Sequence, residues 1–332
     1  MMILSKGGIP LPGVVNRKTI NTTLSNDNAE KLNTLAQKTG RPKTRLLDEA
    51  VDDLYAKEEQ KDMEDQVNHP GIVISIANNK GGVGKTTTAA AFADLLGKRG
   101  KTVLLIDADP QSNLSGRFGF DTNAPVPNYL GALILDRMVD GDHQTLPYYI
   151  QKTAYKRIDI IVSDLRLDGV YSTLSSDSIA SATMFRTIID EARKLDRYDY
   201  ILIDDRPALS NEVSSAFIAS DYVIIPIQPA MDSVIGANSI VQFMGKSRKL
   251  NPSLQLLGVF FTQVVDRTTS FHALLPQVKG AWDKKLFETM IPRNQDVVNA
   301  ENEGLPVTTK YPSCKASKAY ARLLDEVVNS IA

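Results

Sequence analysis

From Gly71 onward, short apolar runs alternate with longer stretches whose apolar positions recur at helical spacing. The runs are Ile72 to Ile76, Thr102 to Ile106, Ile158 to Val162, Tyr200 to Ile203, Tyr222 to Ile225 and Leu256 to Phe261. They are mostly continuous and rich in β-branched residues, as strands are when both faces of a sheet are covered. The pattern predicts an α/β fold: a mostly parallel sheet with helices on both faces.

Before Gly71 the pattern changes. Lys18 to Leu24 is β-branched and partly alternating, which predicts a short strand. Ser25, Asn26 and Asp27 are helix N-cap candidates, and Ala29, Leu32, Leu35 and Ala36 follow at helical spacing. Gly40 signals a C-cap. Pro42 suits the start of a second helix, with Leu46, Leu47, Ala50, Val51 and Leu54 on one face. Strand, helix, helix in about 40 residues cannot bury a core alone, so obligate dimerisation of this unit is expected. The expected organisation is a flexible Gly/Pro-rich tail over 1–16, a small domain over 17–58, a charged linker over 59–70 and a large α/β domain over 71–332.

The 332 residues are enough for two domains. The formal net charge is −1, so nucleic-acid binding must come from local patches rather than a global basic field. Cys314 is the only cysteine, which excludes an internal disulfide or a cysteine-rich metal site and fits a reducing cytoplasm. No apolar run approaches the ~18 residues of a membrane span. Gly7 to Gly13 breaks any signal-peptide core, and the acidic, short end from Leu324 to Ala332 is unlike a basic membrane-surface helix.

The chemistry concentrates in Lys80-Gly81-Gly82-Val83-Gly84-Lys85-Thr86-Thr87, between the run ending at Ile76 and a helical stretch from Thr88 to Lys98. Strand, glycine-rich turn, helix is the context of a phosphate-binding loop. Backbone amides close around phosphate oxygens, Lys85 reaches the β- and γ-phosphates, and the Thr86 hydroxyl sits on Mg²⁺. Two further strands run into acids: Asp107-Ala108-Asp109-Pro110-Gln111 and Asp204-Asp205-Arg206-Pro207. One aspartate after a strand is ordinarily a turn or cap residue. Three phosphate-site elements in order shift the balance to chemistry: Asp204 suits Mg²⁺ through its water shell, and Asp107 and Asp109 suit orienting or activating the attacking water. Arg206 could pair with Asp205 or reach phosphate.

Asn79 stands where the general loop pattern wants glycine, and Lys80 adds a second lysine. This resembles the deviant P-loop of the ParA/MinD ATPases. Also similar to that family are Asp107 to Gln111, Asp204 with Pro207, Ile225 to Pro229, and Ile291 to Asn294 followed by Glu301, Gly304 and Pro306. The resemblance spans about 72–328. It implies a P-loop NTPase using ATP and Mg²⁺, with two subunits face to face and Lys80 of each reaching the other's nucleotide. It implies that loss of Asp109 blocks hydrolysis but spares ATP binding, and that Pro292 and Asn294 lie over the base. Asp107 is a further candidate metal ligand beside Thr86 and Asp204.

The front unit resembles a ribbon-helix-helix DNA-binding domain. That resemblance implies a homodimer whose paired strands present Thr19, Asn21 and Thr23 to base edges, with Lys43 and Thr44 on a phosphate. The alternative is an αα-hairpin used only for dimerisation or partner binding. Candidates for DNA contact without sequence preference are Lys246, Arg248, Lys249, Arg267, Lys315, Lys318 and Arg322, each of which on its own also suits a solvated surface. The resemblance implies a partition ATPase that dimerises on ATP, binds nucleoid DNA and releases it on hydrolysis with the help of a centromere-binding adaptor. The alternative is a nucleotide-responsive transcriptional repressor in which hydrolysis is incidental. A MinD-like cell-division positioner is a third reading. Trp282 is expected to be a packing residue.

Overall fold

The structure, a computed structural model, describes residues 26–47, 50, 71–121, 124, 126–139 and 141–331. The chain divides into two compact units, Met1–Asp65 and Gln66–Ala332. The expected tail over 1–16, the strand from Lys18 to Leu24 and the linker over 59–70 lie outside the described residues.

In the first unit, helix α1 (Asn26–Thr39) ends where its sequence says it should. Gly40 takes φ +68°, and its N–H donates to the Ala36 carbonyl at 3.0 Å, a left-handed helix end that glycine adopts without steric cost. A second helix, α2, includes 43–47, and the Pro42 carbonyl accepts from the N–H groups of Arg45 and Leu46. Ala29, Leu32 and Ala36 are half-buried while Leu35 is half exposed, so the apolar stripe is only partly covered within the described residues.

The second unit is a seven-stranded sheet with helices between its strands. In chain order it runs β1 (Ile72–Ile76), α3 (Lys85–Lys98), β2 (Val103–Asp107), α4 (Asn113–Arg117), α5 (Leu130–Met138), α6 (Leu146–Tyr149), β3 (Gln151–Lys152), β4 (Ile158–Ile161), α7 (Leu167–Leu174) and α8 (Ser178–Lys194). It continues with β5 (Tyr200–Asp204), α9 (Asn211–Ala219), β6 (Tyr222–Ile227), α10 (Met231–Ser247), β7 (Gln255–Phe261), α11 (Thr269–Trp282), α12 (Gln295–Asn302), α13 (Val307–Lys310) and α14 (Lys315–Ile331). The strand order is β3-β4-β2-β5-β1-β6-β7. All pairings are parallel except β3 with β4.

All six predicted runs are strands; β1 keeps the predicted limits and the other five differ by one or two residues at their ends. β2 and β5 extend to Asp107 and Asp204 because these two residues still pair in register. The edge strand β3 has no counterpart in the sequence reading, since two residues carry no periodicity.

Two apolar clusters pack against the sheet. One gathers Phe92, Leu104, Ile106, Ile203 and Tyr320. The other gathers Phe217, Ile225, Phe261 and Trp282, which confirms Trp282 as a packing residue. Helix α3 lies close to the sheet through a run of buried alanines, Ala89 to Ala91 and Ala93. A Cβ at Gly97 would come within 3.1 Å of the Lys156 carbonyl, so glycine lets α3 approach without displacing that carbonyl. In α14, Tyr320, Leu323, Leu324 and Val327 face inward as their spacing predicted. No helix among the described residues is long and apolar enough to cross a membrane.

Candidate functional site

The parallel strands carry their ligand-facing loops at their carboxyl ends, and an open cleft of about 600 Å³ forms there. Gly81, Gly82, Gly84, Lys85, Thr86 and Thr87 line one end of it. The loop's shape follows from its glycines: Gly82 has φ +71° and Gly84 φ +93°, a region costly for other residues. Gly84 is the N-cap of α3, so the helix begins at Lys85, three residues earlier than its apolar pattern suggests. The positive end of the helix therefore opens into the cleft. Val83 is fully buried, and its carbonyl accepts from Thr262 Oγ1 at 2.7 Å. The Gly82 carbonyl accepts from the side-chain amides of Gln228 at 2.9 Å and Gln263 at 2.6 Å. These glutamines hold the loop from two other strand ends. No local sequence signal connects Gln263 to the loop.

The two lysines are held differently. Lys85 is buried, and its Nζ donates to the Lys80 carbonyl at 3.3 Å. Burial pulls its pKa below the ordinary lysine value, while Asp204, Asp109 and Asp205 pull it back up. Lys80 is more open: its Nζ donates to Asp232 Oδ2 at 2.6 Å, in the first turn of α10. It does not line the cleft of its own chain.

The acids fall into three environments. Asp109 lines the cleft, and its Oδ1 accepts from the Gln111 N–H at 3.0 Å. Asp107 is fully buried and does not line the cleft. It accepts from the N–H and Oγ of Ser115 at 2.8 and 2.7 Å, and from the Asp109 N–H at 3.3 Å. In this arrangement its lone pairs hold the loop that carries Asp109, rather than facing the cleft lining. Burial and the neighbouring Asp204 push its pKa up to about 8, against the Ser115 hydrogen bonds.

Asp204 is the opposite case. It is 1% exposed, and both carboxylate oxygens are buried with no hydrogen-bond partner among the described residues. Burial raises its pKa to about 7; the nearby Thr86 hydroxyl and Lys85 work against that rise without satisfying the oxygens. Asp205 is equally buried and unpaired, and desolvation together with Asp204 puts its pKa well above the carboxylate range. Arg206 does not pair with Asp205. Its Nη2 pairs with Asp168 Oδ1 at 3.1 Å, and the guanidinium lies over the Tyr171 ring.

The opposite wall of the cleft comes from the segment after β7. Pro292, Asn294, Val297, Val298 and Glu301 line it. Asn294 caps α12, its Oδ1 accepting from the Asp296 N–H at 2.8 Å. Glu301, named in the sequence only as part of the family-like segment after Asn294, and Arg117, which sequence reasoning did not single out, also face this space. Arg117 Nη2 pairs with Glu301 Oε1 at 2.8 Å.

Of the residues expected on DNA, Thr19, Asn21 and Thr23 lie outside the described residues. Lys43 and Thr44 are exposed at the start of α2. Lys246, Arg248, Lys249 and Arg267 are exposed. Arg248 Nε donates to the Leu254 carbonyl at 3.0 Å, which fixes part of its guanidinium. Lys315, Lys318 and Arg322 are brought together on one side of α14, in a shallow depression that also includes Pro292. The other four do not join that cluster.

Comparison with known proteins matches both units. Residues 71–256 match the family model of an AAA domain, and 16–58 match a ribbon-helix-helix domain. The chromosome partitioning protein ParA of Caulobacter vibrioides is 32% identical over 262 residues, covering 79% of this chain and 95% of that protein. The sporulation initiation inhibitor protein Soj of Bacillus subtilis is 32% identical over 258 residues, covering 77% and 98%. Among solved structures, a Cyanothece McdA variant in complex with ATP superposes with a TM-score of 0.67 at 24% identity, covering 78% of this chain and 97% of that one. The septum site-determining protein MinD of Pyrococcus horikoshii with Mg-ADP gives 0.63 at 24%, covering 77% and 96%.

Proposed function

The chain belongs to the ParA/Soj family of partition ATPases and carries a ribbon-helix-helix domain ahead of its ATPase domain; from that premise we propose that it is an ATP-driven DNA partition protein. ATP holds two subunits together, the dimer binds DNA, and hydrolysis releases it. The domain limits are 17–58 for the DNA-binding unit and 71–332 for the ATPase unit.

The observation that carries this reading is the pairing of a complete phosphate loop with an unsatisfied acid. Asp204 buries two bare carboxylate oxygens beside Thr86 and Lys85. Leaving such a group unpaired costs several kcal/mol, so a bound cation is the natural partner. The residues present therefore fit Mg²⁺, held by Thr86 and, through water, by Asp204. When bound, the ion neutralises charge that develops on the phosphates. Lys85 and the first-turn amides of α3 bind the triphosphate. Asp109 orients the attacking water, and Asp107 acts through it by fixing its backbone. Pro292 and Asn294 cover the base. Lys80, which lines no part of its own chain's cleft, is free to serve the partner subunit's nucleotide.

The front domain binds a specific site, either an operator or the partition site itself, through Thr19, Asn21 and Thr23 with Lys43 and Thr44 on phosphate. Lys315, Lys318 and Arg322 form the best-clustered patch for contact without sequence preference, supplemented by Lys246, Arg248 and Arg267. A centromere-binding adaptor stimulates hydrolysis, and the protein works in the cytoplasm on the nucleoid. Lys85→Ala is the direct test. The wild-type chain should shift to a dimer on ATP in sedimentation velocity, and the variant should stay monomeric. An unchanged ATP-induced shift would remove the mechanism, whereas nucleotide-dependent operator affinity with negligible turnover would favour a repressor.

A further inference from the structure

Three side chains meet on the cleft wall between the phosphate loop and α12. Thr87 Oγ1 donates to Glu301 Oε1 at 2.6 Å, and Arg117 Nη2 pairs with the same oxygen at 2.8 Å. All three line the cleft. The Arg117 side chain is only 12% exposed, and its Nε is buried with no partner among the described residues. Both donors converge on Oε1, which leaves the lone pairs of Oε2 for a further donor.

A carboxylate beside a triphosphate site is electrostatically out of place. Like charges a few ångströms apart repel strongly where water is sparse. Arg117 removes that conflict by neutralising Glu301 inside the wall. What remains useful is the acceptor capacity of the carboxylate, and a nucleotide offers few donors to it: the base amine and the ribose hydroxyls. Position decides between them. Pro292, Val297 and Val298 form the apolar stretch suited to a base, and Glu301 lies one turn further along α12. It touches Thr87 in the first turn of α3, where the phosphate chain is bound. The group between base and phosphates is the sugar.

We propose that Glu301 reads the ribose hydroxyls of the bound nucleotide, with Arg117 and Thr87 as the positioning residues that fix its carboxylate. The chemistry is that by which acidic side chains bind ribose in dinucleotide sites. The ligand class is thereby a ribonucleotide rather than its deoxy counterpart, and the same contact ties α12 to the phosphate loop through the sugar.

This inference rests on the cleft being the nucleotide site, and calorimetric titration of the full-length chain separates the two. ATP, 2′-deoxy-ATP and 3′-deoxy-ATP are titrated in Mg²⁺ into the wild type, Glu301→Ala, Glu301→Gln, Arg117→Ala and Lys85→Ala. The wild type should bind ATP about tenfold more tightly than at least one deoxy analogue, since the lost hydroxyl leaves a charged acceptor unpaired. Glu301→Ala should bring the three affinities together, and Glu301→Gln should narrow the gap while keeping the side chain's shape. Arg117→Ala should weaken all three nucleotides, because it exposes an unneutralised carboxylate to them. A role in folding alone would lower the melting point without changing the ratio between nucleotides. No preference in the wild type, or a preference retained by both Glu301 variants, overturns the proposal. If Lys85→Ala binds ATP as the wild type does, the nucleotide reading of the cleft falls instead.

Discussion

The carboxyl ends of β2 and β5 lie side by side, with Asp107 and Asp204 paired in register, yet the two acids live in opposite chemical states. Asp107 is saturated: Ser115 gives it an N–H and a hydroxyl, and Asp109 gives it a second backbone N–H. Asp204 is bare on both oxygens. Burial raises the pKa of both, so depth does not distinguish them. Partners do. A buried acid whose lone pairs are filled is a brace, whereas bare oxygens beside Thr86 and Lys85, as on Asp204, leave room for a cation.

The largest effect that would break this contrast is at Asp204. Asp204→Asn should cut ATP turnover by at least about 100-fold with little change in the fold, read by phosphate release and by circular dichroism. Asp107→Ala should do the reverse in kind. Removing the acceptor of two Ser115 donors should lower unfolding free energy by about 2–3 kcal/mol in urea, with turnover falling only as the Asp109 loop loosens. A variant at Asp107 with unchanged stability would end its description as a brace.

Acidity sharpens the contrast further. A carboxyl with a pKa near 7 carries its proton below that pH, and a cation must displace it. Magnesium-dependent nucleotide affinity should therefore fall about tenfold for each pH unit below 7, and Asp204→Asn should flatten the profile. The smallest effect concerns Asp205, whose raised pKa means that the folded chain holds a proton the unfolded chain releases. Stability of the nucleotide-free protein should accordingly decline as pH rises above the ordinary carboxylate range. Asp205→Asn should recover about 1 kcal/mol at pH 8, seen as a higher melting point.

Much of this was legible in the sequence because it is local. Continuous β-branched runs gave the strands, and the loop from Lys80 to Thr87 carries its own glycines, lysines and helix. Asp204 was legible because it ends a strand and faces the same loop. The brace on Asp107 was not, because Ser115 reaches back only after a turn that no spacing rule anticipates. Arg206 went to Asp168 on α7, a partner set by how that helix packs and invisible in the local Asp-Asp-Arg-Pro stretch. Glu301 meets Thr87 across 214 positions, and pairings of that range are written only in the fold. The residues expected to read DNA bases, Thr19, Asn21 and Thr23, fall within the segment that matches a ribbon-helix-helix domain.

Lys80 is stowed against Asp232, at the mouth of α10, rather than left pointing into solvent. Any anion that claims this lysine does so by substitution: one negative partner leaves as another arrives. Such a trade returns a free carboxylate at the helix's first turn. On the proposed role of Lys80, an encounter between subunits amounts to a swap of counterions, with selectivity resting on whatever outbids a single aspartate.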